Sequence, residues 1–235
     1  MVKSGVHQTL KGFRDYLPEK MIIRSRVIRR LRSVFEKYGY DELQTPALEY
    51  KEVLTGKYGE EAEKLMYLFT DQGGRDVGLR YDLTVPLTRV MASNRDLAIP
   101  FKRYQIQPVW RGDAPQKGRY REIYQCDVDI VGSKSPMADA EILAIISDSL
   151  TILGFDSFKT RINSRKVLNE SMSSAKIPKE SWLTVISSVD KLEKKGKSSV
   201  KKELGEKGLS KSQIDNVFKK LESAKPDPFL NRTLE

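Results

Sequence analysis

The spacing of hydrophobic residues predicts three helices in the first 160 positions. Apolar side chains recur every three or four residues over 19–38, 84–93 and 136–153, the period of a helix with one buried face. Pro18 is suited to open the first helix, Thr84 to cap the second, and Ser135 to cap the third. The expected apolar stripes are Val27, Leu31, Val34, Phe35 and Tyr38 in the first helix, and Leu143, Ile146, Leu150 and Leu153 in the third.

Extended segments occupy the stretches between these helices. Residues 42–49, 66–70 and 77–80 are short strand candidates, and Pro46 restricts the first to a sheet edge, a strand end or a bulge. Residues 103–111 and 121–131 are the longest candidates. We therefore predict a long-looped antiparallel hairpin within an α+β fold, in which an antiparallel sheet is flanked by helices.

The predicted hairpin has one apolar face and one polar face, because side chains alternate along a strand. On the second strand the apolar set is Tyr124, Cys126, Val128 and Ile130, and the polar set is Gln125, Asp127 and Asp129. On the first strand the polar set is Arg103, Gln105, Gln107 and Arg111. If the polar faces coincide, they form a surface suited to a small molecule with both charges, such as an amino acid. The alternative is a solvated face, which antiparallel sheets commonly have.

The pattern changes after about residue 160. Helical segments dominate there, separated by Pro178, Gly196 and Gly208, and Ser210 with Gln213 forms a capping box for the last helix. Residues 190–225 contain eleven lysines and six acidic residues, so half of the net charge of +10 lies there. We predict two domains, a core at 1–165 and a basic helical domain at 166–235.

Composition narrows the classes of function. The 235 residues are 39% hydrophobic, enough for a substantial core, and a net charge of +10 favours an anionic partner, with nucleic acid first. The alternative is that the lysines only keep the protein dissolved. With one cysteine, Cys126, and one histidine, His7, an internal disulfide and a Cys/His zinc site are excluded. Neither a membrane span nor a signal peptide is evident, so we expect a cytoplasmic protein without membrane association.

Four basic residues crowd the hairpin loop. Arg111, Lys117, Arg119 and Arg121 lie within eleven residues, and guanidinium groups bind phosphate oxygens in bidentate fashion. The glycine-rich signatures GxxxxGK[ST] and GxGxxG do not occur in the chain. A bound nucleotide would therefore be held by arginines on a sheet.

Four segments resemble class II aminoacyl-tRNA synthetases, and in particular the histidyl-tRNA synthetase family. KYGYDELQTPALE resembles the first class II motif, which builds the dimer interface in that class, and FKRYQIQPVWRGDAPQKGRYREIYQCDVD resembles the second. LRYDLTVPLTR resembles the histidine-binding segment, and INSRKVLNE with the basic tail resembles the start of the insertion domain. The resemblance implies a class II catalytic core with an incomplete sheet, followed by a small insertion domain.

The resemblance implies which residues hold histidine. Asp82, Leu83 and Thr84, with Gln125, would bind around the α-amino group, and Asp129 would face the imidazole or the amino end. Reasoning from the residues alone leaves two alternatives open. Thr84 could only cap a helix, and Asp82 could only pair with Arg80.

The resemblance also implies how ATP is held. Arg111 would be the catalytic residue, bridging the histidine carboxylate and the ATP α-phosphate. Asp113 would lie near the adenine and Arg119 near the outer phosphates, with Mg²⁺ bridging phosphate oxygens. The implied reaction forms histidyl-adenylate and transfers histidine to the 3′ end of histidine tRNA, in a homodimeric enzyme.

Parts of the family pattern do not occur in the 235 residues. These are the third class II motif, a second histidine-specific arginine segment and an anticodon-binding domain. We therefore expect a truncated chain that is inactive in aminoacylation alone. Two other readings stay open, a synthetase-like regulatory subunit of ATP phosphoribosyltransferase and a non-catalytic RNA-binding module.

Overall fold

The computed structural model describes residues 7–57, 63–160, 162 and 165–223. It separates into two units, Met1–Phe158 and Lys159–Glu235. This division lies a few residues before the one predicted between 165 and 166. Each unit has an apolar core of its own.

The described helices of the first unit include α1 (Pro18–Lys37), α2 (Lys51–Leu54), α3 (Thr84–Ser93) and α4 (Pro136–Ile152). Pro18 occupies the first turn of α1, where a missing N–H removes no intrahelical hydrogen bond. The Ser135 hydroxyl accepts the Met137 N–H at 3.2 Å and caps α4. The predicted bounds of the three longer helices are thus confirmed to within one residue.

The strands form two three-stranded sheets. They are β1 (Asp41–Glu42), β2 (Leu48–Tyr50), β3 (Leu68–Thr70), β4 (Asp76–Leu79), β5 (Phe101–Trp110) and β6 (Glu122–Val131). The strand orders are β1-β5-β6 and β2-β4-β3, and every neighbouring pair is antiparallel except β1 with β5. The predicted extended segment 42–49 divides around Pro46, so that β1 and β2 join different sheets. The antiparallel sheet expected from the sequence therefore contains one parallel pair.

Strands β5 and β6 form the predicted antiparallel hairpin. Arg103 lies opposite Asp129, Gln105 opposite Asp127, and Gln107 opposite Gln125. Because directly opposed residues point to the same side of a sheet, the polar sets of the two strands share one face. The expectation that the two polar faces coincide is confirmed.

The apolar face of the hairpin packs against α1 and α4. Tyr104 is buried beside Val34, Phe35 and Ile145, and its ring centroid lies 5.3 Å from that of Phe35. In α4 the prediction was wrong by one position, because Ile145 is buried and Ile146 is exposed. Two residues predicted for the apolar face, Tyr124 and Cys126, are also exposed. They lie on β6, the outer strand of this sheet, where less of the face is covered.

The second unit is helical among its described residues. It contains α5 (Arg165–Ser174), a 3₁₀ helix (Lys179–Ser181), α6 (Trp182–Val189), α7 (Leu192–Glu206) and α8 (Lys211–Ser223). The predicted capping box is confirmed, since Ser210 N–H donates to Gln213 Oε1 at 3.0 Å and Gln213 N–H donates to Ser210 Oγ at 3.3 Å. Gly196, expected to separate two helices, kinks α7 with φ of 76°.

Candidate functional site

Part of the polar face of the β5–β6 hairpin is buried. Arg103 and Gln105 are both 0% exposed, and the Gln105 amide donates to Thr45 Oγ1 at 2.9 Å. The alternative of a solvated polar face is therefore wrong for these residues. Burying polar groups is unfavourable unless they are hydrogen-bonded. Gln105 is hydrogen-bonded in this layer, whereas Arg103 Nε and Gln125 Oε1 have no hydrogen-bond partner among the described residues.

Arg80 organises the centre of the polar layer. Its guanidinium donates to the carbonyl of Pro108 at 2.9 Å, to that of Thr45 at 2.6 Å and to Gln107 Oε1 at 2.9 Å. Burial lowers the pKa of Arg80, although Glu49 opposes the effect. The sequence-based alternative that pairs Asp82 with Arg80 is wrong, because the Arg80 guanidinium is occupied by these oxygens.

The Asp82 side chain caps the N-terminus of helix α3. Its Oδ1 atom accepts the backbone N–H of Thr84 at 3.1 Å and that of Val85 at 3.0 Å. The suggestion that Thr84 caps this helix is wrong, because Thr84 is the first helical residue and the cap comes from Asp82. A carboxylate suits this position, since the helix N-terminus carries partial positive charge. Leu83, between them, is 0% exposed, and Thr84 is exposed.

Arg111 lies just past the end of β5, beside the same segment. Its Nε atom donates to the carbonyl of Tyr81 at 3.1 Å, and its guanidinium carbon lies 4.6 Å from the centroid of the Tyr81 ring. The Arg111 side chain is half-buried. One edge of the guanidinium is thereby fixed by protein, and stacking on tyrosine sets its plane.

The hairpin loop is held in a compact shape by two of the residues expected to contact ATP. Arg119 Nη2 lies 2.6 Å from Asp113 Oδ1, and Asp113 is 9% exposed. Gln116 and Arg119 exchange backbone hydrogen bonds, closing a turn in which Gly118 has φ of +82°. Gly112 donates its N–H to the Leu65 carbonyl at 2.7 Å, and a Cβ there would lie only 3.1 Å from that oxygen. The loop thus brings Asp113 and Arg119 together.

Gln125 and Asp129 point to the same face, four residues apart on β6. Four residues of strand span about 13 Å, and Asp127 lies between Gln125 and Asp129 on the same face. Gln125 Oε1 is inaccessible to solvent and has no hydrogen-bond partner within the described residues. A buried acceptor without a donor is unfavourable.

The pairing of buried Arg103 with Asp129 was not expected from the sequence. The Arg103 Nη2 atom lies 2.6 Å from Asp129 Oδ2, with the two side chains 0% and 33% exposed. Among the described residues the contact is an ion pair and not a well-aligned hydrogen bond. Strand alternation placed Arg103 on this face, but nothing in the sequence indicated that it would be fully buried.

Three carboxylates and two guanidiniums interact electrostatically across this face. The pKa of Asp127 is raised, chiefly by burial, while Arg103 and Arg111 oppose the shift and Asp129 and Asp82 add to it. The pKa of Arg103 is lowered by burial, against the attraction of Asp129, Asp127 and Asp82. The face therefore carries both signs of charge.

Within the described ranges, no cluster of three or more His, Cys, Asp or Glu side chains is arranged to hold a metal ion. No described helix is both long and apolar enough to cross a membrane.

Comparison with known proteins identifies the family. The family model described as histidyl-tRNA synthetase matches residues 12–235. The chain belongs to the histidyl-tRNA synthetase family. It is 50% identical over 210 residues to a histidine–tRNA ligase of Aeropyrum pernix, covering 88% of this chain and 48% of that protein. It is 44% identical over 234 residues to one of Gloeobacter violaceus, covering 89% and 50%. The chain thus spans about half the length of the curated relatives it matches.

Solved structures of this family share the fold. A histidyl-tRNA synthetase from Nostoc sp. PCC 7120 matches with a TM-score of 0.80 and 33% identity, over 94% of this chain and 49% of that one. A Bacillus halodurans protein described as an ATP phosphoribosyltransferase regulatory subunit/histidyl-tRNA synthetase matches with a TM-score of 0.76 and 24% identity, over 92% and 56%. The second likeness concerns the fold alone.

Proposed function

We propose that this chain supplies the histidine-binding face and part of the ATP site of a histidine–tRNA ligase. The complete enzyme would convert histidine and ATP to histidyl-adenylate and pyrophosphate, and then transfer histidine to the 3′ end of histidine tRNA. The observation that carries the proposal is the polar face itself, because Asp82, Gln125, Asp129 and Arg111 surround it in a family that charges tRNA. Such a face suits a molecule with an ammonium, a carboxylate and a ring N–H.

In the activation step, a histidine carboxylate oxygen attacks the α-phosphorus of ATP, and the bond from that phosphorus to the bridging oxygen of pyrophosphate breaks. The attacking oxygen is already ionised, so the step requires no general base. Arg111 is the proposed catalytic residue, since its guanidinium spans the carboxylate and the α-phosphate and stabilises the charge that develops between them. Positioning of the two reactants contributes the remainder.

The other residues bind substrates. Asp82 would receive the α-ammonium through the carboxylate oxygen that does not cap α3, with Leu83 and Thr84 forming the adjoining wall. Gln125 Oε1 would accept an N–H of the same group. Asp129 would accept the imidazole N–H. A site that leaves such groups unpaired with the wrong amino acid loses about 1–3 kcal/mol for each one.

Asp113 and Arg119 would lie beside the ATP, at the adenine and the outer phosphates respectively. Magnesium would bind together with the nucleotide phosphates, which supply the oxygen ligands that it prefers. We propose in addition that the full-length enzyme is a cytoplasmic homodimer.

The decisive test replaces Arg111 by alanine in a version extended to the length of the relatives. We expect histidine-dependent exchange of pyrophosphate into ATP to fall by at least about a hundredfold, as for the loss of one charge-stabilising donor. The matched control is Arg95→Ala, since Arg95 is exposed in the first unit. Thermal unfolding should remain close to that of the unsubstituted protein in both variants. Exchange by Arg111→Ala near the unsubstituted rate would refute the assignment.

The same assay addresses the two other readings. A regulatory subunit would bind histidine without histidine-dependent exchange. An RNA-binding module would bind RNA with a steep salt dependence, and Arg111→Ala would leave that binding unchanged.

A further inference from the structure

Arg103 is a buried cation on the histidine face that the proposed roles do not use. It is 0% exposed, and its guanidinium contacts Asp129 Oδ2 at 2.6 Å, Gln105 Oε1 at 3.3 Å and the Leu83 carbonyl at 3.4 Å. It therefore joins the outer β6 strand to the segment that precedes α3. Residues proposed to bind histidine lie at both ends of this connection.

Lys102, the preceding residue on β5, is a cation that stays partly exposed and provides a comparison. Lys102 points to the opposite face, pairs with Glu141 on α4 at 2.7 Å, and its side chain is 28% exposed. The hydrogen bond from Lys102 lowers the pKa of Glu141, and both side chains stay in contact with solvent. The desolvation penalty of a fully buried guanidinium is much larger, so the burial of Arg103 requires a stronger local reason.

The surrounding charges supply that reason. Asp127 and Asp129 lie two residues apart on the same face of β6, where two ionised carboxylates repel one another. Arg103 is opposite Asp129 in the register and also interacts with Asp127 and Asp82. Its Nε atom has no hydrogen-bond partner in the described structure. Without Arg103, the carboxylate proposed to face the imidazole would have no counter-ion on its own strand pair.

We propose that Arg103 is a positioning residue of the histidine site, which holds the Asp129 carboxylate in the orientation that accepts the imidazole N–H. The proposal rests on the proposed function. Arg103 acts through Asp129, so its removal loosens recognition of histidine and leaves the ATP site, formed by Arg111, Asp113 and Arg119, largely intact.

The test uses pyrophosphate exchange in the extended version with Arg103→Met and Arg103→Lys. We expect Arg103→Met to raise the KM for histidine at least about tenfold, because one partner of a buried ion pair is lost. The KM for ATP should change by less than about twofold. A general loss of structure would instead raise the KM values for both histidine and ATP. Arg103→Lys keeps the charge without the planar fork and should restore part of the affinity.

Lys102→Met is the matched control, because it removes an adjacent cation from the other face of the same strand. It should leave the KM for histidine unchanged. A double-mutant cycle with Asp129→Asn supplies a second readout: if Arg103 acts through Asp129, the double variant should be scarcely worse than the poorer single variant.

The outcomes separate the two proposals. An unsubstituted protein without histidine-dependent exchange contradicts the proposed function. An active unsubstituted protein with an unchanged KM for histidine in Arg103→Met, or with additive effects in the cycle, overturns the role of Arg103 alone. If Arg103→Met fails to fold, Arg103→Lys carries the test, and an unchanged KM for histidine in that variant overturns the role.

Discussion

The two faces of the β5–β6 hairpin are both covered, but by different chemistry. On one face, Tyr104 and Ile106 pack against the apolar side chains of α1 and α4. On the other, Arg103 and Gln105 are as fully buried, within a network of hydrogen bonds and ion pairs. Apolar packing tolerates changes of shape that keep the volume. A buried polar network depends on each of its partners, and it is this face that presents the candidate site.

The largest loss of stability is expected from substitution of Arg80 in the polar layer. Arg80→Met leaves carbonyl and amide oxygens of the polar layer without a donor, at about 1–3 kcal/mol each, so we expect the first unit to lose about 3 kcal/mol or more of unfolding free energy. Arg75→Met is the matched control, because the Arg75 side chain is 61% exposed and pairs with Asp71 at the surface. It should lower the free energy of unfolding much less, because exposed ion pairs contribute little.

Denaturant unfolding followed by tryptophan fluorescence measures this difference. The chain has two tryptophans, Trp110 in the first unit and Trp182 in the second. A Trp182→Phe background therefore leaves Trp110 to report on the first unit alone. Equal losses of unfolding free energy in Arg80→Met and Arg75→Met would contradict a special contribution of the polar layer to stability.

A smaller effect is expected on the apolar face. Phe35→Leu removes a ring that is 2% exposed and stacked at a tilt on Tyr104, and should lower the unfolding free energy by about 1–2 kcal/mol. The KM for histidine in the extended version should not change, because Phe35 lies behind the sheet. A raised KM for histidine in Phe35→Leu would show that the two faces do not act independently.

The smallest effect is expected from an ion cluster near the surface of the second unit. Glu203 accepts from Lys191 and Lys207, and these bonds lower its pKa to about 2. A depressed carboxylate pKa stabilises the fold above the unfolded value of about 4.5 and loses that contribution as the pH falls toward 2. The melting temperature of this unit should therefore decline between pH 4.5 and pH 2.

Glu203→Gln should flatten that decline, and circular dichroism of the helical signal at each pH would measure it. Glu206→Gln is the control, since Glu206 is more exposed and its contact with Lys202 is 4.0 Å long. An equal decline in the Glu203→Gln variant would show that other carboxylates cause the acid sensitivity.

The sequence by itself determined the local features of this protein. Strand alternation identified which residues of β5 and β6 share a face, because the side-chain period of two is a property of the backbone. Ser135 and the Ser210–Gln213 box were identified as caps, since their hydrogen bonds involve residues within three positions. Family motifs indicated Arg111, Gln125 and Asp129 as site residues. The assignment of histidine and ATP to these residues remains a prediction.

Only the tertiary structure decided how the polar face is used. Buried Arg103 contacts the Leu83 carbonyl, 20 positions earlier in the chain, and buried Gln105 contacts Thr45, 60 positions earlier. The fold also makes Asp82, and not Thr84, the cap of α3. Alternation predicts the direction of a side chain, whereas its exposure depends on what the rest of the chain places over it. For that physical reason the sequence left open whether this face is a ligand surface or a solvated one, and the fold buries Arg103 and Gln105 within it.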